Sequence, residues 1–132
     1  MSDNLDINGK VPNLIDHVLE ELLCTEMWSE GMLVDQANVI YLKVNGCWFR
    51  HYFDCAIVFW RNQEKAPKSY EMQELDSYFK VVDLAHNLGI KGLKIQSFET
   101  YSIKGGSESV FTFENSRSIV FSNINDITVY RT

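Results

Sequence analysis

Between Val44 and Cys47 stands the dipeptide Asn45-Gly46, and it constrains this chain more tightly than any other pair. Both residues tolerate the positive φ angles of a two-residue type I′ turn, and the flanks alternate in the two-residue period of strands. Such a loop pairs Val44 with Cys47, so the register of the hairpin follows directly. One face then carries Ile40, Leu42, Val44, Cys47, Phe49, His51, Phe53, Cys55, Ile57 and Phe59; the other carries Val39, Tyr41, Lys43, Trp48, Arg50, Tyr52, Asp54, Ala56, Val58 and Trp60. The first face reads as core. The second is amphipathic, with Lys43 opposite Trp48 and Tyr41 opposite Arg50, pairings that would supply cation–π contacts of about 0.5–1 kcal/mol if exposed. A strand from Cys47 to about Trp60 exceeds the usual strand length, so a bend or bulge is expected within it.

Around this hairpin the spacing predicts two helices. Leu14, Ile15, Val18, Leu19, Leu22 and Leu23 recur at helical intervals behind Pro12, giving a first helix over residues 12–24. Ser69 stands as the cap of a second, in which Met72, Leu75, Phe79, Val82, Ala85 or His86 and Leu88 keep the spacing until Gly89 stops it. Its C-terminal half is open to an extended reading at Phe79-Lys80-Val81-Val82. Residues 61–68, charged and containing Pro67, read as a surface loop. From Leu93 onward, segments 93–103, 108–114, 117–122 and 126–131 are apolar or alternating. The breaks at Gly105-Gly106-Ser107, Asn115-Ser116 and 123–126 carry turn residues, so this part reads as an antiparallel meander. The fold class implied is α+β: a twisted, mainly antiparallel sheet of about six strands, N-terminal hairpin plus C-terminal meander, with two helices packed on one face. The 132 residues suit one domain, with residues 1–10 as a loose N-terminal arm.

Three cysteines, Cys24, Cys47 and Cys55, form an odd set without a CxxC pair, as buried free thiols in a reducing compartment would. The N-terminus has neither the basic nor the apolar region of a signal peptide, and no run reaches membrane-spanning length. The expectation is a cytoplasmic protein away from membranes.

Cys47, His51 and Cys55 have the right types for zinc but the wrong geometry: on one extended strand, positions four apart are separated by about 13 Å. Gly105-Gly106 lacks the flanking pattern of a phosphate loop. His17 and His86 stand on the faces of the two expected helices and read as surface or boundary residues. The clustered carboxylates stand on an exposed face where nothing raises a pKa. No catalytic residue, metal site or cofactor is therefore assigned.

The charge distribution carries the functional expectation. Net charge is −6, and the first 36 residues hold eight acids against Lys10 alone. Such a field repels nucleic acid and anionic lipid and attracts cationic partners. Asp16, Glu20, Glu21, Glu26, Glu30 and Asp35, with Trp28 among them, are the candidate surface for a basic protein, in the manner of an inhibitor or immunity protein that covers a toxin or nuclease. The bland alternative is a solvated acidic face that keeps the domain soluble. A different class of reading is a small-molecule-binding domain or enzyme whose pocket, or an assembly subunit whose interface, uses Tyr41, Trp48, Arg50, Tyr52 and Trp60. Oligomeric state is open at this level.

Overall fold

The computed structural model describes residues 5–72 and 77–132, apart from the side chains of 70–72. Among these residues it is nearly all β: strands β1 (Asp6–Asn8), β2 (Leu19–Ser29), β3 (Met32–Val44), β4 (Cys47–Asp54), β5 (Ile57–Gln63), β6 (Tyr70–Met72), β7 (Ser77–Asp83), β8 (Ile95–Ile103), β9 (Gly106–Phe113), β10 (Ser118–Ile124) and β11 (Ile127–Arg131), with one short helix α1 (Leu84–Asn87) before β8. One sheet has the order β1-β5-β4-β3-β2-β7-β6 and the other β11-β10-β9-β8. The α+β expectation with two packed helices is thereby corrected.

The reason lies in where β2 sits. It is a central strand, hydrogen-bonded to β3 on one side and β7 on the other. Leu22, Leu23, Cys24 and Thr25 are consecutive and all buried. A strand covered on both faces loses its alternation, and a continuous apolar run of that kind is indistinguishable from a buried helix by periodicity. Upstream, Asp16 takes a φ of 68°, which no right-handed helix accommodates. The second expected helix is β7 followed by α1: Phe79, Val81 and Val82 are extended, and Asp83 caps the single turn by accepting from His86 N–H at 3.1 Å. Ser69 caps nothing; its Oγ accepts from Val81 N–H at 2.9 Å. Leu75 and the Met72 side chain lie outside the described residues. Residues 6–8 of the expected loose arm are β1, paired in parallel with β5.

Turn chemistry worked better. Asn45 and Gly46 have φ of 53° and 74°, and Val44 pairs with Cys47. The bend expected between Cys47 and Trp60 is a full reversal, since Cys55 and Ala56 occupy a two-residue turn with φ of 50° and 65° and Asp54 pairs with Ile57. This inverts the expected faces beyond residue 54: Val58 and Trp60 point inward, and Ile57 and Phe59 outward. The C-terminal meander runs β8 to β11 in sequence order, each strand paired with its neighbour.

Inner faces of the two sheets pack against each other. Leu22, Ile40, Leu42, Val58 and Trp60 from the first meet Ile95, Phe111, Phe113, Ile119 and Phe121 from the second, all essentially free of solvent. A side-chain seam joins the sheets at one edge. A register shift in β3 opposite Thr25–Met27 leaves Gln36, Ala37 and Asn38 outside the ladder. Asp35 Oδ1 then accepts from Thr128 N–H at 3.1 Å, and Gln36 Oε1 from Tyr130 N–H at 3.1 Å, both on β11.

Candidate functional site

His51 and Ser109 have the look of reactive partners. His51 Nε2 lies 2.9 Å from Ser109 Oγ, His51 Nδ1 lies 3.1 Å from Phe59 O, and Thr100 Oγ1 lies 3.3 Å from Ser109 Oγ. A carbonyl only accepts, so Nδ1 carries the proton and Nε2 accepts from the serine, which in turn accepts from Thr100. The ring stacks on Trp60 at 4.2 Å, and both His51 and Ser109 are wholly buried. Burial holds the imidazole pKa down at about 4. The group is thus a closed polar bridge between β4 and β9, inaccessible to substrate and fully satisfied within the core.

The acidic residues singled out in the sequence separate into three places. Asp16, exposed in the loop before β2, and Glu20 and Glu21 lie at one end of β2. Glu20 Oε2 accepts from Gly46 N–H at 2.7 Å, and Glu21 stands opposite Lys43. Glu26, Trp28 and Glu30 lie at the other end, where Glu26 is opposite Lys80 and accepts from Trp28 Nε1–H at 3.0 Å. Ten residues of strand separate Glu20 from Glu30, roughly 30 Å at the usual rise. Asp35 is buried at the seam and its carboxyl pKa is raised, chiefly by that burial, with hydrogen bonds from Thr128 and Ala37 pulling the other way. Among the described residues, these carboxylates do not form one continuous negative surface.

What the second end of β2 does form is a hairpin tip with exposed apolar side chains. Glu30 and Gly31, with φ of 51° and 76°, make a tight turn that pairs Ser29 with Met32. Next to it Met32 is 71 % exposed, and Leu33 and Val34 are 44 % exposed each. Trp28 stacks flat on Tyr78 of β7 at 5.9 Å. Through the Asp35–Thr128 bond this part of β3 lies beside β11, where Ile127 and Val129 are also exposed, with Ile124 across the turn. The Glu-Gly pair between apolar runs was the sequence signal for this hairpin, hidden by the helical reading of the residues before it.

The aromatic candidates also divide. Trp60 belongs to the core, against the expectation that it lines a pocket. Trp48 borders a groove of about 730 Å³ formed by Lys10, Val11, Pro12 and Asn13 on one side and Cys47, Phe49, Asn62, Gln63 and Glu64 on the other. Tyr41, Arg50 and Tyr52 lie on the outer face of the first sheet. The cysteines are corrected in part: Cys24 is buried, its thiol pushed up to about 12 by burial and by the charges of Glu26 and Asp35, whereas Cys47 and Cys55 are exposed.

No protein-family model matches the chain, and no curated protein or solved structure is significantly similar to it. No helix among the described residues is long and apolar enough to cross a membrane.

Proposed function

We propose that the chain is a protein-binding module that engages a basic partner through the β2–β3 hairpin tip, acting as an inhibitor does, by occupying its target. The carrying observation is the run Met32-Leu33-Val34, exposed on both faces of a strand end. Strand alternation accounts for one exposed apolar face and never for three consecutive residues. Apolar groups left in water beside Glu26, Glu30 and the Trp28–Tyr78 stack have the composition of an anchor with a charged rim. A photo-crosslinking residue at position 33, used in the source cell and read by mass spectrometry, tests this. The expected result is an adduct with a basic protein that weakens at least tenfold on Glu30→Lys and persists on Glu21→Lys at the far end of the strand. Absence of an adduct, or one indifferent to both reversals, overturns the reading.

The groove beside Trp48 favours a second reading, capture of a small molecule. Its volume lies in the range of ligand sites, and apolar walls of Val11, Pro12 and Phe49 carry an amide rim of Asn13, Asn62 and Gln63. Cys47 in its wall supplies a reporter: a bound ligand slows alkylation of that thiol and leaves Cys55 unaffected.

A further inference from the structure

The second sheet buries one face against the first and leaves the other open. Phe111, Phe113, Ile119 and Phe121 point inward, so the residues alternating with them on β9 and β10 point out. The open face of an antiparallel sheet is ordinarily polar. On this one Tyr101, Ile124, Ile127 and Val129 are all exposed, and Val110 and Val120 between them are half-buried. The register arranges the outward residues in rows that cross the sheet from β8 to β11. One row is Glu99, Val110, Val120, Arg131; the next is Tyr101, Glu108, Ser122, Val129; a third begins with Ile103 and ends with Ile124 and Ile127.

Each row matches its own reverse. A second copy can be laid on this face about a twofold axis that runs along the strands midway between β9 and β10. The operation exchanges β8 with β11 and β9 with β10, and keeps every row in place. Aligned packing of this kind is how two sheets meet in a sandwich. Glu99 then lies against Arg131 of the second copy, Val110 against Val120, Tyr101 against Val129 and Ile103 against Ile127. The charges agree with this arrangement. Glu99 is exposed and has no ion-pair partner among the described residues. Arg131 donates to Ser122 Oγ at 2.8 Å and to Glu108 Oε2 at 3.1 Å, which leaves other N–H groups of its guanidinium, and its side chain is 60 % exposed. Glu108 falls opposite Ser122, so no like charges meet across the rows. Because the face complements itself, the occupant it specifies is another copy of this chain. At about 4.8 Å between strands and about 3.4 Å per residue, four strands as long as β10 present a flat footprint of roughly 450 Å². Two copies cover about 900 Å² before the relief of the side chains is counted, below the roughly 1,200–2,000 Å² of stable complexes, so the association is a weak one.

We propose that the outer face of the second sheet is the interface of a homodimer in which Glu99 of each copy pairs with Arg131 of the other. The β2–β3 hairpin tip belongs to the first sheet, so this inference does not depend on the reading given to that tip. Sedimentation velocity of the whole chain from about 1 μM to about 500 μM tests it, with a concentration-dependent shift from monomer to dimer expected. Glu99→Lys and Arg131→Glu each set like charges together twice in the dimer, and each is expected to weaken association at least tenfold. Mixed in equal amounts, the two variants form a heterodimer with a Lys–Glu pair at one end and the native pair at the other. The mixture is therefore expected to associate about as tightly as the wild type. A wild type that stays monomeric throughout, single variants that associate as the wild type does, or a mixture no better than its components overturns the proposal.

Discussion

Arg50 and His51 are joined by one peptide bond and face opposite sides of the same strand. His51 is wholly buried, yet each ring nitrogen has a partner and its face lies against Trp60. Arg50 is only half-buried, yet its Nε has no partner and its cross-strand neighbour repeats its charge. A satisfied polar group in the interior links two sheets and specifies how they meet; an unsatisfied one at the surface leaves capacity for something else. Burial alone does not tell which of the two has a complete set of hydrogen bonds.

The comparison breaks if His51 proves dispensable. Replacing it by Ala removes a ring from the core and strands the Phe59 carbonyl and the Ser109 hydroxyl, so a loss of about 4 kcal/mol is expected from urea unfolding at neutral pH. A loss below 1 kcal/mol would show that the bridge contributes little to joining the sheets. Acid provides a gentler probe of the same group. With a folded pKa of about 4 against the ordinary 6.5, the unfolded chain binds the extra proton first. The stabilising contribution is therefore complete above pH 6.5 and declines as pH falls from there toward 4, by about 3 kcal/mol in total. Asp35 runs the other way: its raised carboxyl pKa gives a contribution present at low pH and lost as pH rises above the ordinary 3.8. Subtracting the profile of His51→Leu from that of the wild type isolates the histidine, and a flat difference between pH 6.5 and 4 would refute the assignment.

How much of this was legible follows from the same distinction. Local chemistry was readable: Asn45-Gly46 set the β3–β4 register, and Gly105, Asn115-Ser116 and Asn125-Asp126 punctuated the meander. What depended on distant partners was not. β2 looked helical because β3, β7 and the second sheet cover it, and none of them is near it in the chain apart from β3. Cys55-Ala56 contains no turn-forming residue; its backbone is met by Asp126, whose Oδ1 accepts from Cys55 N–H at 3.0 Å across 71 positions of sequence. Counting acids likewise revealed a negative N-terminal quarter but not that Asp35 turns inward to hold β11.

That turn offers a smaller test. Ala56 holds a left-handed φ of 65°, a conformation costing an L-residue about 1 kcal/mol and glycine nothing. Ala56→Gly is expected to raise stability by about 0.5 kcal/mol once glycine's freedom in the unfolded chain is subtracted. A decrease would mean that the methyl group packs on the Asp126 turn.

The smallest effect belongs to Arg50. Arg50→Gln removes repulsion from Arg61 and relieves the unpartnered Nε, but it also gives up the contact with Tyr52 and the packing of a long stem. These oppose each other, so the midpoint in low salt should move by less than about 0.5 kcal/mol. Added anion separates the two chains. If the unpartnered guanidinium of Arg50 takes an anion, sulfate binds the folded state alone, so the wild type should gain melting temperature with sulfate over the millimolar range, while the variant shows only the shallow rise common to folded proteins. Parallel curves would mean that Arg50 and Arg61 already share their charge with a group of the chain itself, and the contrast with His51 would then be one of degree.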